Sequence, residues 1–376
     1  MTVNSTDPPL RIAHVLGKMH GGGVEAMVMN YYRHINKSKI QFDFFVDKDS
    51  SIVPYQEIES LGGRVFVIAP YQNVIQYRKE LTTIFLENNY KVVHSHINSL
   101  SPFPLSAAKK VGIPIRIAHS HSTSAPGETT KNIVKNTLRP FSKVYPSHYF
   151  SCTNTAGEWL FGKNIVKTKQ LQVINNAIDV NKFAFNKDDR ESLRVSLGLV
   201  DKLVIGHTGR LCFQKNQAFL IRVLHSFLKY EPDTILLLVG DGQDLNKLTN
   251  LAERLGIRES VLFLGNRADV HRYYSAMDVF AFPSKYEGFG ISAIEAQASG
   301  LPVILSKTVP KEACLSDQCA ILPLKEGEDN WTKKILELKE KRDRQLNGDF
   351  TDYSIDIIAD NLESLYLSLV TESERG

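Results

Sequence analysis

The chain has 376 residues, of which 43% are hydrophobic and 23% are charged. This is ordinary globular composition, so collagen-like, low-complexity and largely disordered chains are excluded. The net charge of +4 divides unevenly, because residues 1–180 hold 20 Lys and Arg against 12 Asp and Glu, whereas residues 181–376 hold 25 against 29. Such an asymmetry concerns binding partners rather than fold.

Short apolar runs rich in β-branched residues alternate with amphipathic stretches along the whole chain. In the first part we expect strands at 11–16, 42–47, 65–69, 92–96, 115–120, 149–153 and 171–174. In the second part we expect strands at 203–207, 234–239, 261–264, 279–282, 302–305 and 320–322. Continuous apolar strands separated by helices indicate parallel sheets covered on both faces, and thirteen strands are too many for one ordinary sheet.

The pattern starts again near residue 200, after a segment rich in turn formers at 175–183. We therefore predict an α/β protein with two facing Rossmann-like domains, residues 1–180 and 181–351. Ligands of open α/β sheets bind beyond the carboxyl ends of the strands, so we expect the active site in the cleft between the domains. Residues 352–376 contain a helix with one apolar face, which we expect to pack back on the N-terminal domain.

The cysteines and the N-terminus indicate where the protein resides. Four cysteines are scattered along the chain without a C-x-x-C pair, which favours reduced thiols in the cytoplasm. Residues 1–10 lack an apolar signal sequence, and no apolar run reaches the ~20 residues that a membrane span needs. We expect a cytoplasmic protein, attached at most to the inner face of the cell membrane.

The most specific motif is the segment 284–303, which follows an expected strand. Gly288 and Gly290 allow the backbone to approach a ligand closely. The helix beginning near Gly290 directs free N–H groups and its positive dipole end toward a phosphate. Glu287 and Glu295 can each accept hydrogen bonds from sugar hydroxyls. The alternative is a solvated Glu287 and a surface Glu295 on an ordinary βα turn.

A second motif, residues 207–216, also follows an expected strand. Arg210 comes just past the strand end, and we expect Lys215 in the first turn of the next helix. A cation at a helix start opposes the dipole, which indicates a compensating anion. Arg210 through its fork and Lys215 as a point charge would clamp a diphosphate. The alternative is two surface cations.

Together, G-R-x4-K after a strand, N-x-x-D near the boundary and E-G-F-G-x4-E-A-x-A-x-G-x-P-V resemble the family 4 glycosyltransferases. These are retaining enzymes with the GT-B fold. Residues 93–96 and 116–121, which read V-H-S-H and R-I-A-H-S-H, resemble the subgroup that builds bacterial capsules and exopolysaccharides. The resemblance implies that a sugar moves from a nucleotide diphosphate donor, expected here to be a UDP-sugar, to a polyprenyl-linked or saccharide acceptor. It also implies that the enzyme needs no metal or other cofactor.

The resemblance further implies roles for individual residues. Glu295 matches the carboxylate that holds the ribose hydroxyls, and Glu287 matches the carboxylate that contacts the donor sugar. Arg210 and Lys215 match the diphosphate clamp. The loop whose backbone meets the sugar and the phosphates is matched by Phe289, Gly290 and Ile291.

The histidines of the first part form two pairs. Alternation along a strand places His94 and His96 on one face of one strand, and His119 and His121 on one face of another. By the resemblance, His121 or His119 matches a histidine near the reacting sugar. Metal ligation is the alternative, but no nearby Asp, Glu or Cys completes a ligand set. We therefore expect no metal, and a histidine that hydrogen-bonds a donor-sugar hydroxyl or developing charge.

A glycine-rich loop at residues 21–26 satisfies G-x-G-x-x-A, with Asp47 about twenty residues further on. An NAD-dependent dehydrogenase is therefore one alternative, and a non-catalytic nucleotide-sugar-binding protein is another. In the dinucleotide fingerprint, however, the first glycine closes a turn directly off the strand, whereas here residues 17–20 intervene. We predict a flexible loop with Gly22 and Gly23 beside the donor or acceptor. The D-x-D at 47–49 is interpreted as a solvated turn rather than a metal site.

Basic residues recur every four positions over 131–143, with apolar residues between them. A basic stripe beside apolar side chains suits an anionic membrane surface, and a solvated helix face is the alternative. We expect no nucleic-acid partner. The residues of the stripe are Lys131, Lys135, Arg139 and Lys143.

Overall fold

The computed structural model describes residues 8–121, 129–340 and 344–375. The chain divides into two compact units, one of Met1–Ala177 with Asp352–Gly376 and the other of Ile178–Thr351. Each unit contains one fully parallel sheet, and all thirteen expected strands are present. These strands could be predicted from the sequence because a strand that is covered on both faces has a continuous run of apolar residues.

The described part of the first unit contains seven strands and eight α-helices. Its strands are β1 (Leu10–Gly17), β2 (Ile40–Asp47), β3 (Arg64–Ile68), β4 (Val92–Ser95), β5 (Ile115–Ser120), β6 (His148–Ser151) and β7 (Leu171–Val173). They form one sheet in the order β3-β2-β1-β4-β5-β6-β7. Its helices are α1 (Gly23–His34), α2 (Tyr55–Ser60), α3 (Val74–Asn88), α4 (Pro102–Lys110), α5 (Thr129–Leu138), α6 (Asn154–Phe161), α7 (Lys163–Lys167) and the C-terminal helix (Ile355–Arg375).

The C-terminal helix completes the core of the first unit. Its apolar face packs with residues of α1 and β2, including Tyr32 and Phe42. Burying each such side chain contributes about 1.5–3 kcal/mol, so this helix belongs to the unit although 174 residues separate it from the preceding part. The residues that it buries there include Ile355, Ile358, Leu362, Tyr366 and Leu369.

This arrangement changes the charge distribution inferred from the sequence. The C-terminal segment brings six acidic residues and one basic residue to the first unit. The first unit therefore carries 21 basic and 17 acidic side chains, and the second unit carries 24 of each. Much of the charge asymmetry between the sequence halves is absent from the folded units.

Outside residues 341–343, which are not described, the second unit contains six strands and seven α-helices. Its strands are β8 (Leu203–Thr208), β9 (Thr234–Val239), β10 (Val261–Phe263), β11 (Val279–Phe282), β12 (Val303–Ser306) and β13 (Cys319–Leu322). They form one sheet in the order β10-β9-β8-β11-β12-β13. Its helices are α8 (Val180–Phe183), α9 (Lys187–Ser196), α10 (Gln217–Phe227), α11 (Leu245–Arg254), α12 (Val270–Ala276), α13 (Ile291–Ala298) and α14 (Gly327–Leu338).

Short 3-10 helices complete the secondary structure. They occupy Asn98–Leu100, Arg139–Lys143, Arg258–Ser260, Lys311–Ala313, Leu324–Glu326 and Thr351–Tyr353. In each sheet the strand order reverses at one point, between β1 and β4 in the first unit and between β8 and β11 in the second. Loops that leave the carboxyl ends of strands on either side of such a point frame a crevice that suits ligand binding.

One expectation about the cysteines is wrong. A disulfide joins Cys314 to Cys319, whose Cα atoms lie 5.6 Å apart, while Cys152 and Cys212 are free. A turn in which Cys319 N donates to Ser316 O brings the two thiols together just before β13. Sequence spacing alone did not reveal this turn.

None of the described helices is both long enough and apolar enough to span a membrane.

Candidate functional site

Two loops at the carboxyl edge of the second sheet carry the two predicted motifs. One loop follows β8 and the other follows β11, on either side of the point where the strand order reverses. The main-chain N–H of Lys285 donates to Gln214 O over 2.8 Å, and Asn216 Nδ2 donates to Pro283 O over 3.2 Å. These bonds join motifs that lie about seventy residues apart in the sequence.

Lys215 and Glu287 form an ion pair across the two loops. Lys215 Nζ lies 2.8 Å from Glu287 Oε1, and the two side chains are only 17% and 7% exposed. Lys215 comes before Asn216, the N-terminal cap of α10, rather than in the first helical turn as expected. The anion that compensates this cation is therefore Glu287 itself, and a solvated Glu287 is excluded.

Arg210 lies in the same loop with a different environment. Its side chain is exposed and makes no ion pair or hydrogen bond with any residue in the described ranges. Its carbonyl oxygen, in contrast, accepts a hydrogen bond from Gln217 Nε2 over 2.9 Å. The backbone of Arg210 is thus held while its guanidinium is available to an anion.

The buried His207 fixes the conformation of this loop through hydrogen bonds. His207 Nδ1 donates to Ala281 O over 2.9 Å, and His207 Nε2 lies 3.2 Å from Gln217 Nε2. Burial lowers the pKa of His207 to about 3, so the ring is neutral at physiological pH. A neutral ring that donates from Nδ1 must accept at Nε2, which orients Gln217 toward the carbonyl of Arg210.

A third loop, residues 240–242, follows β9 and was not predicted from the sequence. A β-carbon at Gly240 would lie 2.3 Å from Gly209 O, and one at Gly242 would lie 2.3 Å from Leu211 O. Any larger residue would therefore push the loop after β8 out of place. The G-D-G pattern directly after a strand was the signal that could have identified it.

The start of α13 has the geometry that the glycines predicted. Gly290 precedes the helix with φ +89, a left-handed conformation that glycine adopts without strain. A β-carbon there would also lie 3.2 Å from Val309 Cγ1. Phe289 is 4% exposed and Ile291 is partly buried, so this loop offers a ligand mainly its backbone.

Glu295 is held by a residue that no motif indicated. The hydroxyl of Tyr274, on α12, donates to Glu295 Oε2 over 2.6 Å and lies 2.6 Å from Thr208 Oγ1. Burial raises the pKa of Glu295, while the Tyr274 hydrogen bond and the positive charge of Lys215 act in the opposite direction. Glu295 is therefore an oriented, half-buried carboxylate rather than a surface group.

In the first unit, the glycine loop before α1 is tied to the chain after β2. Met19 O accepts hydrogen bonds from Ser51 N over 2.9 Å and Ile52 N over 3.1 Å. Gly22 is the N-cap of α1, and a β-carbon there would lie 2.5 Å from Glu25 Oε2. Gly23, the first residue of α1, has open space around its β-carbon position. The loop is thus more constrained than the expected flexible segment.

Asp47 differs from its predicted environment. It ends β2 and is 1% exposed, and burial raises the pKa of its carboxyl to about 6. Only Asp49, paired with Lys18, fits the interpretation of a solvated turn. A buried Asp47 cannot present its carboxylate to a ribose, as the dinucleotide-binding alternative requires.

Five histidines meet near the carboxyl ends of β1, β4 and β5. Their rings form hydrogen-bonded pairs with nitrogen separations of 2.9–3.0 Å, and burial lowers the pKa of every ring. His119 is 1% exposed, whereas His121 is partly exposed and can contact a ligand. The histidine on β1 was not predicted to belong to this group. The cluster consists of His14, His94, His96, His119 and His121.

The basic stripe is divided between α5 and a 3-10 helix. The side chain of Lys131 lies outside the described residues. The Arg139 guanidinium lies 5.8 Å from the centre of the Trp159 ring, and Lys143 is exposed. Lys135 is half-buried. The three described cations therefore do not share one environment.

Comparison with known proteins identifies the family. Residues 189–349 match the family described as Glycosyl transferases group 1, and residues 21–182 match Glycosyltransferase Family 4. The chain is 34% identical over 310 residues to the putative glycosyltransferase EpsF of Bacillus subtilis, covering 80% of each chain. It is 24% identical over 314 residues to the UDP-Gal:alpha-D-GlcNAc-diphosphoundecaprenol alpha-1,3-galactosyltransferase of Escherichia coli, covering 81% of each.

Solved structures agree on the architecture. Anabaena HepE in complex with UDP and glucose superimposes with a TM-score of 0.80 at 19% identity, over 96% of this chain and 100% of that one. The sucrose-phosphate synthase of Thermosynechococcus elongatus gives a TM-score of 0.78 at 16% identity, with the same coverage. At such identities the likeness establishes the fold, which is GT-B. The chain therefore belongs to glycosyltransferase family 4, in the exopolysaccharide-type group, and is a glycosyltransferase rather than a dehydrogenase.

Proposed function

We propose that the protein is a retaining hexosyltransferase that moves a sugar from a UDP-sugar to a polyprenyl-diphosphate-linked or saccharide acceptor in cell-surface polysaccharide synthesis. The proposal rests on one observation. The unpaired Arg210, the Lys215–Glu287 ion pair and the start of α13 lie on two loops that are hydrogen-bonded to each other at the carboxyl edge of the second sheet. The E. coli relative is named for a UDP-galactose donor and an undecaprenol-linked acceptor. HepE was solved with UDP.

In this proposal the second unit, residues 178–351, binds the donor. Glu295 accepts hydrogen bonds from the ribose hydroxyls through the oxygen that Tyr274 leaves available. Glu287, held by Lys215, accepts hydrogen bonds from hydroxyls of the sugar. A carboxylate accepts several hydrogen bonds at once, so neither contact requires the existing partner to leave.

The same site can stabilise the leaving group. When the bond between sugar and phosphate breaks, negative charge develops on the diphosphate. The guanidinium of Arg210, the ammonium of Lys215 and the free N–H groups at the start of α13 can all face this charge. We propose that they replace the metal ion used by other transferases. Attack and departure then occur on one face of the sugar, and the leaving phosphate takes the acceptor proton.

The first unit, residues 1–177 with residues 352–376, would bind the acceptor. The loop with Gly22 and Gly23 follows β1, one of the two strands between which the strand order reverses. The partly exposed His121 follows β5, which lies beside β4, the other of these two strands. A neutral imidazole can donate one hydrogen bond to a sugar hydroxyl or to developing charge. This assigns the site role to His121 rather than to the buried His119.

We also propose peripheral contact with an anionic membrane around residues 131–143. Exposed apolar side chains surround the basic ones here, since Ile133 is 63% exposed, Phe141 53% and Val144 54%. Apolar residues that insert beside cations are typical of interfacial segments. Neutralising the four cations should release the protein from vesicles containing anionic lipid, and unchanged co-sedimentation would contradict the proposal.

The donor assignment is tested by ligand-induced thermal shifts with UDP-, GDP- and ADP-sugars, with and without EDTA. We expect stabilisation by UDP-sugars that EDTA does not abolish. Arg210→Ala should weaken UDP-sugar binding by about 10–150-fold, the equivalent of ~1.5–3 kcal/mol for a hydrogen bond to a charged group. It should leave the melting temperature of the free protein unchanged, because Arg210 is exposed.

Arg254→Ala is the matched control, since Arg254 is an exposed arginine of α11. Transfer to lipid-linked acceptors then tests the reaction, and the anomeric configuration of the product tests retention. Sugar transfer that survives Glu287→Gln unchanged would show that the donor site is assigned wrongly.

A further inference from the structure

Three histidines of the first unit form a chain of hydrogen bonds that runs from the core to the carboxyl edge of the sheet. His14 Nδ1, on β1, lies 2.9 Å from His96 Nε2, and His96 Nδ1 lies 3.0 Å from His121 Nε2. His96 therefore uses both of its ring nitrogens within the chain. His14 and His96 are buried, whereas His121, directly after β5, is partly exposed. The chain thus joins a core ring to a ring that a ligand can reach.

The three rings are neutral, so each of them carries a single N–H. Burial lowers the pKa of His14 and of His121 to about 3, and burial together with the neighbouring rings holds the pKa of His96 well below its usual value. A neutral imidazole donates at one nitrogen and accepts at the other. Each contact between two rings needs one N–H and one lone pair, so the choice at one ring dictates the choice at the other two.

Only two arrangements of the protons satisfy both contacts, and they differ at the ends of the chain. In the first arrangement every ring carries its proton on Nδ1, so His121 donates outward from Nδ1 and His14 Nε2 is unprotonated. In the second arrangement every ring carries its proton on Nε2, so His121 accepts at Nδ1 and His14 Nε2 is a donor.

The surroundings of His14 decide between the two arrangements. His14 Nε2 is buried and has no hydrogen-bond partner among the described residues. The side chains that surround the ring include the apolar Met27, Phe42 and Leu362, and the centre of the Phe42 ring is 3.9 Å away. Buried N–H groups without an acceptor are rarer in folded proteins than acceptors that lack a donor. The first arrangement, which leaves His14 Nε2 unprotonated, is therefore favoured.

We propose that His14 and His96 are positioning residues that hold His121 in its Nδ1–H form, so that His121 donates to the sugar or to the charge that develops during transfer. The inference rests on the proposed contact between His121 and the sugar. The hydrogen bond at one ring nitrogen determines which form of an imidazole is present. An unconstrained histidine in water favours the Nε2–H form, in which Nδ1 only accepts. Developing negative charge is stabilised by donors that are already in place, and the chain provides such a donor.

A second chain in the same cluster does not reach a ligand. The Tyr366 hydroxyl lies 2.6 Å from His94 Nδ1, and His94 Nε2 lies 3.0 Å from His119 Nδ1. His119 is buried, and its Nε2 has no hydrogen-bond partner within the described ranges. This chain therefore stays in the core, and its disruption is a matched control.

Nitrogen NMR of the full-length protein tests the proposal without a transfer assay. In protein labelled with ¹⁵N-histidine, long-range ¹H–¹⁵N correlation spectra distinguish Nδ1–H, Nε2–H and charged rings, and His121→Phe identifies the signals of His121. We expect the Nδ1–H form of His121 in the wild type and in Tyr366→Phe, which alters only the second chain. His96→Phe removes the donor to His121 Nε2 and should shift His121 toward the Nε2–H form. An Nε2–H form in the wild type, or an unchanged Nδ1–H form in folded His96→Phe, would overturn the proposal.

Transfer kinetics then separate the form of the ring from substrate binding. His96→Phe should lower kcat by about 3–30-fold and leave KM for the donor nearly unchanged, because His121 stays in place but donates less often. Tyr366→Phe should change kcat by less than about 2-fold. UDP binding by the second unit and the circular dichroism spectrum report whether the variants fold.

Two kinetic results would contradict the inference in different ways. Equal losses of kcat in His96→Phe and Tyr366→Phe would attribute the effect to packing and overturn the positioning role. Wild-type kcat in His121→Phe would overturn the sugar contact on which the inference rests, even with the expected spectrum. An Nε2–H spectrum of the wild type, in contrast, overturns the positioning role and leaves the sugar contact standing.

Discussion

Replacing Tyr274 with Phe tests whether Glu295 must be oriented from behind to bind the nucleotide. Tyr274 is fully buried, and its hydroxyl contacts Glu295 Oε2 and Thr208 Oγ1 at 2.6 Å each. The substitution removes one oxygen and leaves the ring in place. The carboxylate then loses its fixed donor, and the Thr208 hydroxyl loses a partner.

The size of the effect follows from the charge on Glu295. A hydrogen bond to a charged group contributes about 1.5–3 kcal/mol, which corresponds to roughly 10–150-fold in a binding constant. We expect this loss to be shared between folding stability and UDP affinity. Because the Tyr274 bond opposes the effect of burial on the pKa of Glu295, its removal raises that pKa further. The loss of UDP binding on acidification should therefore begin at a higher pH in the variant.

Isothermal titration with UDP between pH 5 and 8, together with urea unfolding, measures both parts. Tyr273→Phe is the control, because Tyr273 is a buried neighbour on α12 whose hydroxyl makes no hydrogen bond within the described ranges. A Tyr274→Phe variant with wild-type affinity and an unchanged pH profile would refute the reasoning. An equal loss in Tyr273→Phe would refute it too, since the effect would then come from packing.

Three further substitutions address other parts of the fold. Gly290→Ala should cost about 1–2 kcal/mol of stability, because an alanine at φ +89 is strained, and should weaken UDP binding; a normal melting temperature would contradict this. Asp47→Asn should stabilise the protein at pH 7 by at most about 3 kcal/mol and not at pH 4. A carboxyl with a pKa of about 6 against 3.8 when unfolded makes the wild type less stable as pH rises between these values, so parallel pH profiles would disprove it. Arg344→Met should lower the free energy of unfolding by several kcal/mol, since the buried guanidinium bonds three backbone carbonyls, including Ser299 O; an unchanged urea midpoint would count against it.

The positions of the donor-site residues could be predicted because their motifs follow strands directly. Arg210 comes two residues after β8, and Gly290 lies at the end of the loop that follows β11, where a parallel sheet exposes its loops. The roles of these residues stay predictions. The pairing of Lys215 with Glu287 was not visible in the sequence, because it depends on β8 and β11 being neighbours although two strands separate them in the chain.

Other errors have the same origin. Asp47 was interpreted as solvated because its neighbours in sequence are polar, yet it is buried at the end of β2. Tyr274 carries no motif, and its role depends on the packing of α12 beside α13. The Cys314–Cys319 disulfide depends on a local turn that spacing did not specify.

The charged residues show most clearly which properties of this protein can be predicted from the sequence and which depend on the tertiary structure. The sequence by itself determined the number of strands, the class of fold and the family, because hydrophobic periodicity and short motifs are local properties. Only the tertiary structure decided which charges and rings share a site. It returned the acidic C-terminal helix to the first unit, paired Lys215 with Glu287 and gathered five histidines into one cluster. These contacts follow from the strand order within each sheet, which is set by crossover connections and by the packing of distant apolar faces rather than by any local pattern.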